Sequence, residues 1–241
     1  MTIYELFLAF QDAVDKVSTE SAPILSFQER DRALNYAAEK FIKQRYGGNN
    51  VKGTSFEETQ KRTDDLASLV KYNLINPSGS TPVFATATNF PLPIDYWFAI
   101  REVANVTYSD CGQSLSKDVG VDARQHNQLN RILVDPFNRP EKDKVIRVMY
   151  QGSVSIYHAS DTTVNQYKLA YIKEVQKLKV GTTYVTTDNI NNNDPLYYHR
   201  LQYWMPLHTH LEIANIAAQM FLERVQDPRY QSILNENNTQ E

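Results

Sequence analysis

What this chain lacks narrows it quickly. It holds one cysteine, Cys111, in 241 residues, so an internal disulfide and a CxxC zinc ribbon are both excluded. Its eight glycines gather only at Gly47-Gly48, and no P-loop, G-x-G-x-x-G or G-x-S-x-G motif occurs. The common local signatures of nucleotide binding and serine hydrolysis are therefore missing. No run approaches the roughly 20 apolar residues of a membrane span, so no membrane partner is expected. Lys and Arg number 25 against 28 Asp and Glu, a balance with no global pull toward nucleic acid. The opening stretch MTIYELFLAFQDAVDKV has no basic n-region and carries Glu5, Asp12 and Asp15. It reads as the start of a soluble, cytoplasmically made protein rather than as a signal peptide.

The chain has apolar residues enough for a sizeable core, at 41% hydrophobic, and its length suits one large domain or two small ones. Tyrosine (15) and phenylalanine (10) are the compositional excess; aromatics fill cores and also enrich protein interfaces. The first third reads as helices. Ile3, Phe7, Phe10, Val14 and Val17 recur at spacings of four and three, an amphipathic stripe. Ser26 and Glu29 form an S-x-x-E capping pair ahead of a second helix. Leu34, Ala37, Ala38, Phe41 and Ile42 would be its buried face, and Gly47-Gly48 its stop. A third helix is expected from TSFEE, with Thr54/Glu57 or Ser55/Glu58 as cap, Leu66, Leu69 and Val70 as its apolar face, and Pro77 closing it.

From residue 82 the pattern changes. Pro82, Pro91 and Pro93 break any helix, and β-branched and aromatic residues take over. REVANVTY alternates only loosely. KVIRVMYQGSVSIYH holds two β-rich runs, 145–150 and 154–158, around Gln151-Gly152-Ser153, and reads as a hairpin. KLAYIKEV, TTYVTT and YYHRLQYW are further strand candidates, and TTDNINNNDP reads as a polar loop. The last third returns to helix: residues 211–225 are apolar on nearly every side, which predicts burial all round. Asp227-Pro228 ends that helix, and NENNTQE is a polar tail. The expected fold class is α+β. Residues 1–81 form a helical part and 82–205 an inserted antiparallel β-rich domain. Residues 206–241 form a closing helix and tail that pack back on the N-terminal part.

Candidate chemistry is sparse. His208, His210 and Glu212 look like a fragment of a metal site. In a strand the two histidines share a face; in a helix His208 and Glu212 do, and His210 points away. Neither arrangement brings all three to one ion, and a zinc site takes three or four protein ligands. Thr209-x-x-Glu212 is instead a capping box, with Pro206 suited to the first turn. Cys111 has no neighbour in sequence to activate it. Lys173, Lys177 and Lys179 in YIKEVQKLK suit the guarded edge of a sheet better than a phosphate site. No cofactor, metal ligand set or catalytic residue is therefore assigned, and the chain reads as a non-enzyme. Two readings of different kinds stay open at this point: a β-rich binding module with a helical base, recognising for example a surface carbohydrate, and a metal-dependent hydrolase built on His208, His210 and Glu212.

Several segments carry a resemblance: LSFQERDRALNYAAEKFIKQRYG, FEETQKRTDDLASLVK, FPLPIDYWFAI, LVDPFNRPEKDKVIRVMYQGSVSIY, KLAYIKEV and EIANIAAQMFLERVQDPRYQSILNEN. In kind and order they resemble virion proteins of crAss-like and related tailed phages of Bacteroidetes bacteria, in the head–tail connector ring group. DPF-x-x-P, Y-I-K and the closing E-I…DPRYQ carry the likeness, with Val175 standing where the relatives look like proline. The resemblance implies a structural ring protein of the virion neck or tail, made in the host bacterial cytoplasm. It implies twelve copies in a closed ring, contacts with the portal protein and neighbouring ring or tail proteins, and transient passage of double-stranded DNA without sequence-specific binding. A ring needs two different complementary faces on each subunit. Asp227, Arg229 and Tyr230, beyond the closing helix, are the candidate interface residues, since Arg and Tyr often anchor interface centres. The alternative for them is a plain role in capping the helix end.

Overall fold

The computed structural model describes residues 2–15, 27–47, 59–78, 86–150, 152–175, 177–178 and 205–225. The chain divides into two compact units, residues 1–69 with 175–241, and residues 70–174. The class is α+β, with helices in the first unit and a seven-stranded sheet in the second.

The helical unit contains α1 (Ile3–Asp15), α2 (Phe27–Gly47), α3 (Gln60–Leu66) running into a 3-10 turn (Ala67–Leu69), and a C-terminal helix from His210 to Val225. Of the stripe expected of α1, Ile3, Phe7, Phe10 and Val14 are buried, joined by Leu6, and Val17 lies outside the described residues. Its start is fixed by a reciprocal pair that the spacing analysis passed over. The Glu5 N–H donates to Thr2 Oγ1 at 3.2 Å, and the Thr2 N–H donates to Glu5 Oε2 at 2.9 Å. Leu34, Ala37, Ala38, Phe41 and Ile42 of α2 are all buried. The C-terminal helix packs on α1 and α2 through Ile213, Ala214, Ile216, Ala217, Ala218 and Leu222. Burial all round does not hold for it, because Leu211 is 59% exposed and Glu223 and Arg224 face solvent. Where the chain returns from the sheet, Asn35 receives it. Its side-chain amide donates to Leu178 O at 2.8 Å and accepts the Leu178 N–H at 2.7 Å.

The third helix is shorter than its apolar spacing suggested. It begins at Gln60 behind an extended Thr59, and Val70, assigned to its face, instead opens strand β1 (Val70–Ile75). Leu66 and Leu69 are buried as expected, but Val70 is 39% exposed. VKYNLI obeys the two-residue period of a strand: Ile75 enters the sheet core while Val70, Tyr72 and Leu74 turn to the other face. The capping candidates at 54–58, Ser26, TTYVTT, YYHRLQYW, TTDNINNNDP and the end of the last helix at 227–228 lie outside the described residues.

The remaining strands are β2 (Ala87–Pro91), β3 (Tyr96–Asp110), β4 (Gln113–Ala123), β5 (Val145–Tyr150), β6 (Ser153–Tyr157) and β7 (Thr162–Lys173), with α4 (His126–Val134) between β4 and β5. Their order in the sheet is β1-β7-β3-β4-β5-β6-β2. The expected hairpin is present as β5–β6, with Tyr150 opposite Ser153. REVANVTY lies within β3, whose register slips at three points along β7. The one slip inside REVANVTY places its extra residue, Asn165, on β7, so the alternation of β3 is intact there; it reads loosely because Glu102, paired with Arg147, shares the inner face with Ala104 and Val106 while Val103 takes the outer one. The sheet is not wholly antiparallel: β4 and β5 pair parallel from Val121↔Val145 to Ala123↔Arg147. Parallel neighbours need a long crossover, and α4 supplies it. KLAYIK belongs to β7, but β7 is no lysine-guarded edge, because β1 and β3 flank it on both sides. Lys177 lies beyond the strand, 3.8 Å from Glu39 of α2, and Lys179 is outside the described residues.

The sheet curls. Phe90 on its last strand meets Tyr167 of β7 with ring centroids 5.6 Å apart, and both join Ala104, Val106, Val154, Ile156 and Leu169 in one core. Ile146, Val148 and Tyr157 face the other way and are covered by Leu129, Ile132 and Leu133 of α4. β5 and β6 are thus buried on both faces, which is why their sequence reads as nearly continuous apolar runs.

Candidate assembly surfaces

The C-terminal helix, labelled α5 from here, has a short 3-10 turn (Leu207–Thr209) ahead of it, and the histidine stretch falls there. His208 Nε2 lies 2.9 Å from Asp65 Oδ1 of α3. His210 is buried, with Nε2 2.7 Å from the Met205 carbonyl, and burial holds its imidazole below the usual value. Glu212 pairs with Arg45 of α2. The three residues therefore take three different partners. Among the described residues no three His, Cys, Asp or Glu side chains converge on a metal position. The capping box is also not formed: the Thr209 hydroxyl donates back to Pro206 O at 2.9 Å, and Glu212 is drawn to the arginine.

What the stretch builds is a charge junction. Arg45 is 1% exposed, with Nε 2.9 Å from Asp65 Oδ2 and an Nη contact to Glu212. The Nε approach lies off the hydrogen-bond line, so it acts as a charge contact. Its guanidinium also sits 4.9 Å over the Phe41 ring. Burial pushes the Glu212 carboxyl up, against the opposing pull of Arg45. Side chains from α2, α3 and α5 thus meet around one guanidinium. Its planar fork suits two carboxylates as a lysine would not.

In the sheet unit, the long β3–β4 hairpin turns at Cys111 (φ 48°) and Gly112 (φ 80°), between the paired Asp110 and Gln113. Two positive φ values in a two-residue loop match the twist of the strands. Cys111 is exposed at this tip. On the sheet face away from the main core, Lys168 Nζ meets Asp118 at 2.6 Å and Asn105 donates to Asp118 at 2.9 Å. These hydrogen bonds, Asn105 first and then Lys168, hold the Asp118 carboxyl below the usual range. A cleft bounded by Thr86, Leu133, Arg139, His158 and Asp161 lies beside α4. His158 is engaged there at both ring nitrogens, with Thr88 Oγ1 at 3.2 Å and Ala159 O at 2.9 Å.

Large apolar side chains on the surface mark the rest. Within the sheet unit Ile94, Phe137 and Val134 are almost fully exposed, at 104%, 89% and 81%, and Tyr72 and Leu74 follow at 64% and 49%; in the helical unit Leu207 reaches 71%. Ile94 sits on a turn closed by Tyr96 N–H to Pro93 O at 3.0 Å. Asp95 beside it bonds Lys71 and Tyr171, and the Lys71 contact keeps its carboxyl low. Sequence analysis did not single out Phe137 or Val134 as contact residues. The signal was an aromatic between two prolines in VDPFNRP, directly after a helix. Asp227, Arg229 and Tyr230, the interface candidates, lie outside the described residues.

The described residues thus present exposed apolar groups on tightly held turns, and interiors that contain the Arg45 and Arg147 ion pairs. Residues 1–194 match the family described as phage tail ring protein 3/4, and the chain belongs to that family. Ring protein 3 of Bacteroides phage crAss001 is a particular relative, 28% identical over 149 residues. That alignment covers 61% of this chain and 64% of the relative, a little under two thirds of its length.

Proposed function

We propose that this protein is a subunit of a closed ring in the phage head-to-tail connector, below the portal, contributing to the channel through which the genome passes. The family match over residues 1–194 carries the reading. A ring of copies joined head to tail needs two unlike faces per subunit. Exposed apolar groups at Phe137 and at Tyr72 offer two such positions. Twelve copies, contacts with the portal and with neighbouring ring or tail proteins, and a place in the virion neck are the finer parts of the proposal. The tail residues Asp227, Arg229 and Tyr230 are proposed as part of a contact surface.

The charge balance suits a conduit. Lys and Arg contacts to phosphate dominate DNA affinity, and a wall that held DNA tightly would oppose its passage. With 25 cations against 28 anions, binding of duplex DNA is expected to be weak and free of sequence preference. Electron microscopy of the intact virion tests the placement: a ring of this chain between portal and tail is the expected result. Mass measurement of the purified protein, alone and mixed with portal protein, tests the assembly. A chain that stays monomeric in both overturns the ring.

A further inference from the structure

We infer that the copy-to-copy contact runs through the helical unit, with the acidic outer stripe of α1 in one copy seated on the basic outer stripe of α2 in the next. The inference rests on the ring reading above, and it adds two faces of the helical unit to the sheet-unit positions named there.

Both stripes follow from helical spacing. On α1 the residues opposite the buried face are Glu5, Leu8 and Asp12, three and four apart. All three are exposed, Leu8 at 41%. Glu5 is partly engaged by the cap at Thr2. Asp12 has no ion pair or hydrogen bond among the described residues. It also stands in the last turn of α1, which holds no cation. A carboxylate there opposes the helix dipole, so a cation brought by a neighbour relieves a repulsion that the lone subunit keeps.

On α2 the residues opposite Leu34, Ala37, Ala38 and Phe41 are Arg32, Tyr36 and Lys40, at spacings of four. Tyr36 is 51% exposed. The Arg32 Nε–H donates to Gln28 O of its own helix at 3.3 Å, and Lys40 has no partner among the described residues. Two acids share this side. Glu29 lies in the first turn, where the dipole favours it. Glu39 is already held by Lys43 at 3.5 Å and Lys177 at 3.8 Å. The stripe therefore meets solvent with an excess of cations.

Charge and length both match. From Glu5 to Asp12 is about 10 Å of helix, and from Arg32 to Lys40 about 12 Å. Laid side by side, the two acids meet the two cations and Leu8 falls against the Tyr36 ring between them. An apolar centre inside a charged rim is the common anatomy of a protein contact. α1 and α2 pack on α5 far more than on one another, so their outer stripes belong to different faces of the subunit. Two unlike faces that complement each other suit a head-to-tail ring.

The test reverses charge on the full chain and follows assembly by mass, alone and on portal protein. Asp12→Lys is expected to keep the melting temperature, since the site is exposed and a cation suits a helix C-terminus. It is expected to weaken assembly at least about tenfold. Adding Lys40→Glu or Arg32→Glu to that chain is expected to restore assembly, and the change that restores it gives the relative direction of the two helices. Each of those two changes alone is expected to weaken assembly as Asp12→Lys does, so the contact can be judged from either helix. Tyr36→Ser is expected to weaken assembly without unfolding, and the ring of the unaltered chain to loosen as salt rises. Folded Asp12→Lys that assembles like the unaltered chain, or a loss that neither second change repairs, overturns this contact and leaves the ring reading standing. No assembly of the unaltered chain under any condition overturns the ring reading and this contact with it.

Discussion

Each unit carries an arginine inside it, and the two are held differently. Arg45 in the helical unit faces two carboxylates, Asp65 and Glu212, with His208 on the far side of Asp65. Arg147 in the sheet unit faces one, with Nε 2.6 Å from Glu102, whose carboxylate also accepts the Tyr167 hydroxyl at 2.9 Å. The first arrangement gathers three separate segments of the chain around one guanidinium. The second is a balanced pair inside the curl of a sheet whose strands are already joined by backbone hydrogen bonds. Alongside its apolar packing, the helical unit thus uses charge to join its pieces. In the sheet unit the Arg147–Glu102 pair fills an interior that the backbone has already organised.

The largest expected effect comes from removing the first arginine. Arg45→Met leaves Asp65, 0% exposed, and Glu212 without their cation. Breaking a buried pair in this way costs about 3–5 kcal/mol. Urea unfolding followed by far-UV ellipticity reads the helices. In a Trp204→Phe background, fluorescence of Trp97 on β3 reads the sheet. The ellipticity midpoint is expected to fall and the Trp97 midpoint to hold; an equal fall in both would erase the contrast between the units. Arg147→Met is expected to cost less, about 2–3 kcal/mol, because Tyr167 still donates to Glu102. That loss is expected in the Trp97 signal.

Acid sharpens the same contrast. Burial raises the folded Glu212 pKa above its unfolded value of 4.5. Its contribution is therefore fully present below 4.5 and lost as pH rises through the folded value. Asp95 and Asp118 in the sheet are lowered from 3.8, by Lys71 and by Asn105 with Lys168 respectively. Their contribution is present above 3.8 and lost as pH falls through the folded values. His210 works against Glu212: its folded value is lowered from 6.5, so its contribution fades as pH drops below 6.5. Glu212→Gln is expected to remove the gain of the helical unit toward pH 4.5 and leave only the His210 loss. Urea midpoints across pH 4–7 by ellipticity check it, and an unchanged profile would assign the pH response elsewhere. The smallest effect is Cys111→Asn at the hairpin tip. Asparagine tolerates positive φ and favours this turn before glycine, so a gain of a few tenths of a kcal/mol is expected in the Trp97 melt.

The sequence made some elements plain because their signal is local. α1 and α2 follow from single apolar stripes, and the β5–β6 hairpin from two β-rich runs around Gly152. β1 was hidden because Leu66, Leu69 and Val70 keep helical spacing across the switch to strand, with no glycine or proline to mark it. α4 was hidden by its Asn, Gln and His content, although Leu129, Ile132 and Leu133 do repeat at three and four. Spacing alone kept the histidine stretch from a metal assignment. Its actual partners, Asp65 and Arg45, lie more than a hundred residues away, where no local pattern reaches. The exposure of Phe137 is likewise a property of the folded loop, since a phenylalanine in sequence looks the same whether buried or bare.

The topology also sets a timetable. A ribosome delivers the N-terminal helices first, yet Phe7 and Phe10 of α1 and the guanidinium of Arg45 find their cover in α5, near the far end of the chain. The β3–β4 and β5–β6 hairpins can close as soon as they emerge, whereas Val70 must wait for Ile172. Distant pairings form slowly, and surfaces left waiting are prone to stray association. The sheet unit can therefore be complete while the helical unit is still half-built, and a chain cut short before α5 would carry its apolar helices bare.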